Sequence, residues 1–142
     1  MTVILVFFVA HWYLSLFFQT FFLHRYAAHK AFTMNKFTEK VFFFLTWFFQ
    51  GSSYLSPYGY GVMHRMHHAF ADTEDDPHSP KYDETIWKMM WKTKTIYSDI
   101  ANRRLIPDKR FTEGVPQWEA FDRFARSWPS RIFWAAIYIS IY

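Results

Sequence analysis

The chain has 142 residues, of which 51% are hydrophobic and 24% aromatic, with 18 Phe, 9 Tyr and 7 Trp; so much apolar surface is foreign to a soluble domain and points to a membrane class. The absence of cysteine excludes disulfide scaffolds, thiolate zinc sites, iron–sulfur clusters, CxxC redox chemistry and cysteine nucleophiles. The net charge of +4 is spread through a mixed-sign region without a basic stripe, which favours anionic head groups or phosphorylated ligands over nucleic acid.

The mean hydropathy of −0.13 conceals a segregated chain, because every Lys, Arg, Asp and Glu lies between Arg25 and Arg131. From Thr2 to Leu23 no residue is charged, and at ~1.5 Å per residue this stretch covers a ~30 Å hydrocarbon core. It reads as a transmembrane helix. A secretory signal would need a basic start, a shorter apolar core and a small-residue cleavage site, and the flanks here are Met1-Thr2-Val3 and His24-Arg25.

A second apolar run, Val41 to Phe49, would span only ~14 Å as a helix. It precedes Gly51, Ser52, Ser53, Ser56, Pro57, Gly59 and Gly61, which are poor material for crossing lipid, so an interfacial or re-entrant segment is expected. Asp72, Glu74, Asp75, Asp76, Pro77 and Pro80 then form an acidic loop in water. Beyond it, Asp83 is expected to cap a helix pairing Ile86 with Met90 and Trp87 with Trp91, while Trp118, Phe121, Phe124, Ala125 and Trp128 recur at helical spacing. A core-facing stripe and a membrane-surface helix share this pattern; Trp-rich faces beside Lys88, Lys92, Arg123 and Arg126 favour the surface. Ile132 to Tyr142 is uncharged again and too short to span, so the chain is expected to end inside a membrane helix.

Five of the seven His fall in two short segments, His24-Arg25-Tyr26-Ala27-Ala28-His29 and His64-Arg65-Met66-His67-His68, each following an uncharged stretch. On a helix His64 and His68 face the same way with His67 about 100° round, so this triplet can address two neighbouring ions. His24 and His29 would lie ~140° apart on an α-helix, and so would bind from a helix end or address different metals. Five His are too many for one zinc. Neither a Glu-x-x-His pair nor HExxH is present, which disfavours the carboxylate di-iron and zinc-protease patterns. What remains is a histidine-rich, dinuclear, oxygen-activating iron site, with incidental interfacial histidines as the alternative. His11 reads as a packed, hydrogen-bonded residue and His78 as part of a tight loop. To share a site the two segments must lie on one side of the membrane, and Val41 to Phe49 is too short to cross and return.

HRYAAH at 24 to 29, HRMHH at 64 to 68 and DTEDDPHSP at 72 to 80, in this order, make the sequence resemble the membrane fatty acid desaturases, specifically the acyl-CoA and acyl-lipid group typified by stearoyl-CoA desaturase. The resemblance implies an all-α integral membrane enzyme with interfacial amphipathic helices and a cytosolic polar region. It further implies a histidine-ligated di-iron centre on the cytosolic side, with His24, His29, His64, His67 and His68 all ligands. Such enzymes use dioxygen and two supplied electrons to place a cis double bond in an acyl chain. The family's third box, HxxHH, is absent, and one long apolar segment precedes the first box where animal relatives have a pair. Residues 1 to 142 are therefore expected to be the N-terminal, C-terminally truncated part of one desaturase domain of the short bacterial type, a multi-pass protein of the bacterial inner membrane. With no Cys, Gly-rich dinucleotide loop, haem or flavin motif, electrons must come from a separate protein of ferredoxin or cytochrome b5 type. Lys88, Lys92, Lys94, Arg103, Arg104, Lys109 and Arg110 are candidates for its docking or for a phosphorylated acyl carrier. A related di-iron hydroxylase and a non-catalytic membrane metal-binding protein are the alternative readings.

Overall fold

The computed structural model describes residues 2–141, and all regular structure among them is helical. Helix α1, Thr2–Phe18, continues without a break into a π-helical segment, Gln19–Ala28. Together these 27 residues are long and apolar enough to cross a membrane. Val3, Leu5, Val6, Phe8, Trp12, Tyr13, Leu16 and Phe17 are exposed along it. A soluble protein does not leave so continuous an apolar face uncovered, so lipid is its natural solvent.

Helix α2, Lys36–Gln50, starts five residues before the apolar run, with Asn35 capping Thr38 N at 2.8 Å. Its charged first turn is accommodated because Glu39, though buried, accepts hydrogen bonds from Tyr26 Oη at 2.5 Å and Lys36 Nζ at 2.9 Å. The helix runs antiparallel to the first: Phe22 meets Phe43 at 5.4 Å and Phe18 stacks on Phe49 at 5.0 Å between ring centroids. A 3₁₀ turn, Gly51–Ser53, then reverses the chain into α3, Pro57–Phe70, which returns to the π-helical segment. The two histidine segments are thus joined by a helical hairpin.

The Gly- and Pro-rich turn is covered by protein. Gly51 has φ +56°, and a Cβ there would meet Tyr138 Oη at 1.8 Å, so both conformation and space require glycine. A Cβ at Gly61 would lie 3.1 Å from the Ala27 carbonyl oxygen, which shows how closely α3 approaches the π-helical segment. The start of α3 is held by a buried polar cluster. Ser56 caps Gly59 N, and Asp122 accepts from Ser56 Oγ at 2.8 Å, Tyr54 Oη at 3.0 Å and Arg126 Nε at 3.1 Å. Burial lifts the Asp122 carboxyl above its ordinary value, against the opposing pull of Arg126, Ser56 and Tyr54. Arg126 also donates to Asn102 Oδ1 and the Ala101 carbonyl.

Helix α4, Ile86–Ala101, is capped by Thr85, whose Oγ1 accepts from Lys88 N at 3.2 Å, and not by Asp83. Thr85 holds the extended conformation that an N-cap requires and is adjacent to the first helical residue. Ile86, Trp87, Met90 and Trp91 are exposed, whereas Ile100 and Ala101 at the other end are buried, and Ile100 packs with Val62 and Tyr58. Lys109–Thr112 forms the short α5.

The Trp118 to Trp128 stripe is divided. Helix α6, Glu119–Ala125, turns Trp118 and Phe121 onto Phe43 and Trp47 of α2, so these two are core residues and not a membrane-surface face. Phe124 and Trp128 remain exposed. Helix α7, Trp128–Ile141, begins four residues before the uncharged run. Trp47 Nε1 donates to Ser130 Oγ at 2.7 Å near its start. His11 is packed as expected: its ring stacks on Phe7 at 5.8 Å and its Nε2 lies 3.2 Å from Tyr138 Oη. Tyr142 lies outside the described residues.

Candidate metal centre

The π-helical segment decides the geometry of the first histidine pair. His29 N donates to His24 O at 3.0 Å, an i to i+5 hydrogen bond. This wider winding brings residues five apart nearly into register, where an α-helix would separate them. His24 and His29 therefore present Nε2 atoms 3.1 Å apart on one side of the chain, and the expectation that they address different metals is replaced by convergence.

α3 delivers the second segment to the same place. His64 Nε2 lies 3.1 Å from His29 Nε2 and 3.0 Å from His68 Nε2. One nitrogen from each of His24, His29, His64 and His68 falls within a 4.8 Å group. These spacings test the fit of a metal. Two nitrogens at ~2.1 Å from one ion are about 3.0 Å apart when they subtend 90° and about 3.4 Å apart at the tetrahedral angle. The observed 3.0–3.1 Å is compatible with neighbouring ligand positions around a single metal ion.

His67 stands apart from this convergence. Its Nδ1 is 2.8 Å from Asp76 Oδ1, and its ring centroid is 6.4 Å from that of His64. Asp76 is fully buried and also accepts from the backbone N–H groups of His78 and Asp72. Burial would raise the Asp76 carboxyl; the hydrogen bonds from His67, His78 and Asp72 outweigh it and hold the carboxyl below its ordinary value. The carboxylate accordingly accepts a hydrogen bond from His67 Nδ1–H, which leaves the unprotonated Nε2 free to bind a metal. His78, expected in a tight loop, is there, and it also faces the cavity described next.

Beside the cluster, a half-open cavity of about 470 Å³ lies between α3 and α4. Leu55, Tyr60, Met63 and Tyr97 give it an apolar wall; His64, His67 and His78 stand at one side and Lys94 contributes a cation. Sequence reasoning missed Arg65 altogether. From the middle of the second box it donates to the carbonyls of Ala27 at 2.8 Å, Ala28 at 2.6 Å, Phe111 at 3.2 Å and Glu113 at 2.9 Å. The signal that could have found it is the position itself, since an Arg between metal-facing imidazoles needs acceptors to offset its charge. Most of the cationic docking candidates have partners within the chain: Arg103 lies 3.2 Å over Tyr58, Arg104 pairs with Asp99, Lys88 with Glu84, and Lys94 sits over Trp91.

The electrostatics favour the neutral ring at His64 and His29. Burial first, and then His24, His68, His29 and His67 as positive neighbours, push His64 down to about 4. His29 is lowered by burial, then by His24, His68 and Arg65. With a folded value below the unfolded 6.5, the neutral ring stabilises the fold above pH 6.5, and that contribution is lost as pH falls through about 4. The metal-free chain in detergent is expected to melt at progressively lower temperature between those values. A His64→Asn variant should show a shallower dependence, and parallel melting curves for the two proteins would contradict this origin.

An apolar helix fit to cross a membrane, with four convergent imidazoles at its polar end, defines a membrane-associated helical protein that can hold a metal ion. The chain belongs to the fatty acid desaturase family, whose model matches residues 1–142. It is 30% identical to the Delta-9 desaturase-like 1 protein of Arabidopsis thaliana over 128 residues, covering 84% of this chain and 38% of that protein. Delta-9 desaturase-like 5 protein, from the same plant, is 29% identical over 124 residues with the same coverage. Delta-9 acyl-lipid desaturase 2 is 33% identical over 75 residues, 52% of this chain and 23% of that relative. The chain thus spans well under half the length of the curated relatives it matches. No solved structure matches it significantly.

Proposed function

We propose that this chain is the N-terminal part of a membrane fatty acyl desaturase, an oxidoreductase that uses dioxygen and a histidine-held di-iron centre to place a cis double bond in an acyl-CoA or acyl-lipid. The observation that carries this reading is the convergence of His24, His29, His64 and His68 beside an apolar cavity. Iron bound there would supply the oxygen chemistry. The residues of the chain favour the neutral ring at His29 and His64, orient the imidazoles and offer an apolar wall along which an acyl chain can lie with one segment near His64. His67 is assigned to the second metal position, since its Nε2 is left free by Asp76.

The remaining ligands are assigned to sequence beyond this chain, on ligand count. Four convergent rings serve one ion well, and two irons that keep room for oxygen need more than the five box imidazoles together. Electrons are assigned to a separate ferredoxin or cytochrome b5 type protein, and the histidine boxes to the cytosolic face of a multi-pass protein. A related hydroxylase would hold its metals similarly and differ in product.

The test compares the full-length parent, the parent carrying His68→Ala and the 142-residue chain, each expressed in a desaturase-deficient host. Gas chromatography of fatty acid methyl esters is expected to show a monounsaturated product for the parent alone. A hydroxylated product would favour the hydroxylase; an active 142-residue chain would refute the ligand count.

A further inference from the structure

A π-helix seldom runs beyond a single turn, so the ten residues of Gln19–Ala28 need partners outside the segment to keep that winding. Arg65 holds one flank through the Ala27 and Ala28 carbonyls. Tyr26, which lies between His24 and His29 in sequence, holds the other. Its Oη donates to Glu39 Oε2 on α2 at 2.5 Å, and its ring lies against those of Phe22 and Phe32, with centroids 5.4 and 5.6 Å away. Its carbonyl accepts from the backbone N–H of Lys30 at 3.1 Å and from that of His29. Tyr26 is thus tied to α2 by its side chain and to the turn carrying His29 by its backbone. Glu39 is only 5% exposed in the first turn of α2. A carboxylate buried to that degree is costly unless its partners offset the desolvation; here they are the Tyr26 hydroxyl and the Lys36 ammonium, which is itself largely exposed.

We infer that Glu39 is a positioning residue: acting through Tyr26, it holds the winding that brings His24 and His29 together. Its hydrogen bonds go to neither imidazole, so its effect on them passes through the backbone of the segment. The inference rests on the proposed function in taking that pair as metal ligands, and it adds α2 to the elements that set their geometry. The two windings differ enough to matter. On an α-helix, residues five apart have Cα atoms about 8–9 Å apart and side chains ~140° apart, whereas the two Nε2 atoms here are 3.1 Å apart. Released from α2, the segment is free to take the commoner winding, in which the two rings diverge. The role requires an acceptor oxygen opposite Tyr26 Oη and not a negative charge, so glutamine at position 39 should fill it and leucine should not.

Disulfide trapping reads the winding without any metal. The chain has no cysteine, so His24→Cys together with His29→Cys introduces a single thiol pair, which can close only when the Cα atoms are within about 7 Å. In detergent with a glutathione redox buffer this pair is expected to oxidise within the chain. Adding Glu39→Leu or Tyr26→Phe should slow the reaction about tenfold, the factor carried by loss of one hydrogen bond to a charged group, and Glu39→Gln should leave it fast. With the histidines restored, Glu39→Leu and Tyr26→Phe should weaken Co(II) binding about tenfold and change its visible spectrum, and Glu39→Gln should do neither. Lys36→Met keeps the Tyr26 hydrogen bond and should alter neither readout. A thiol pair that fails to close, or that closes as fast with Tyr26→Phe as without it, overturns the inference, as does a Lys36→Met variant slowed as much as Tyr26→Phe. If Glu39→Leu loses its helix content by circular dichroism, Tyr26→Phe decides. Failure of the unmodified chain to bind Co(II) would instead strike the proposed function, and the trapping rates would still decide the role of Glu39.

Discussion

Replacing His64 by Ala is expected to abolish metal binding at the four-histidine cluster while leaving the helices in place. His64, like His29, has its Nε2 within about 3 Å of two others; its neighbours are His29 from the segment that ends the first helix and His68 from its own helix. Its ring stacks on Tyr60 at 5.5 Å, which holds it in position without a covalent or ionic tie. Removing the ring leaves His24 and His29 on one side and His68 on the other with no group bridging them. Alterations one shell further out already cost ~10–100-fold in metal affinity, so loss of the central ligand should exceed 100-fold. Helix content by circular dichroism should be unchanged, because the site lies at the surface end of α3 and the core residues Tyr58 and Val62 are elsewhere on that helix. Cobalt titration followed by visible absorption makes the measurement, and a variant that binds cobalt as tightly as the parent would remove His64 from the site.

Arg65→Met is expected to destabilise the fold by about 3 kcal/mol and to lower metal affinity as a consequence. The guanidinium gathers four carbonyl oxygens, two at the end of the π-helical segment and two from the stretch around α5. The carbonyls at a helix end have no partner within the helix, and they carry the negative end of its dipole. Hydrogen bonds to a charged donor contribute ~1.5–3 kcal/mol each, with less where water can replace them, so the sum exceeds any single surface pair. Arg65 also joins the elements bearing His24 and His29 to the one bearing His64 and His68. Loosening it should spread the cluster, and metal affinity should fall even though no ligand has changed. Lysine is not a substitute, since one ammonium cannot reach carbonyls on both sides. Thermal unfolding in detergent, with and without cobalt, should show Arg65→Lys nearly as unstable as Arg65→Met; a lysine variant as stable as the parent would show that charge alone suffices.

Much of this protein could be read from its residues in order. The uncharged stretch from Thr2 to Leu23 has one physical solution, because a backbone in lipid must satisfy its own hydrogen bonds and a helix does so locally. The histidine spacings were equally legible at α3, where an ordinary helical period puts His64 and His68 together and turns His67 aside. The packed, hydrogen-bonded state of His11 followed from its place in the apolar stretch. Such features depend on neighbours in the chain.

What only the tertiary structure decided depends on partners distant in sequence. The winding of Gln19–Ala28 is π and not α, and this brings His24 and His29 together; Arg65, whose acceptors include the Ala27 and Ala28 carbonyls, ties that segment to α3. Trp118 and Phe121 share a helical period with the exposed Trp128, and period cannot tell a face buried on α2 from one facing lipid or water. Thr85 takes the cap that Asp83 was expected to hold, a difference of two residues set by the backbone leading into α4. In sequence His67 looks like any other imidazole; its orientation is set by Asp76, a carboxylate nine residues away that is buried only once the loop folds back on α3. Local period determines where side chains point along one helix, whereas the hydrogen-bond partners that fix a proton or bury a charge are chosen only when the helices pack.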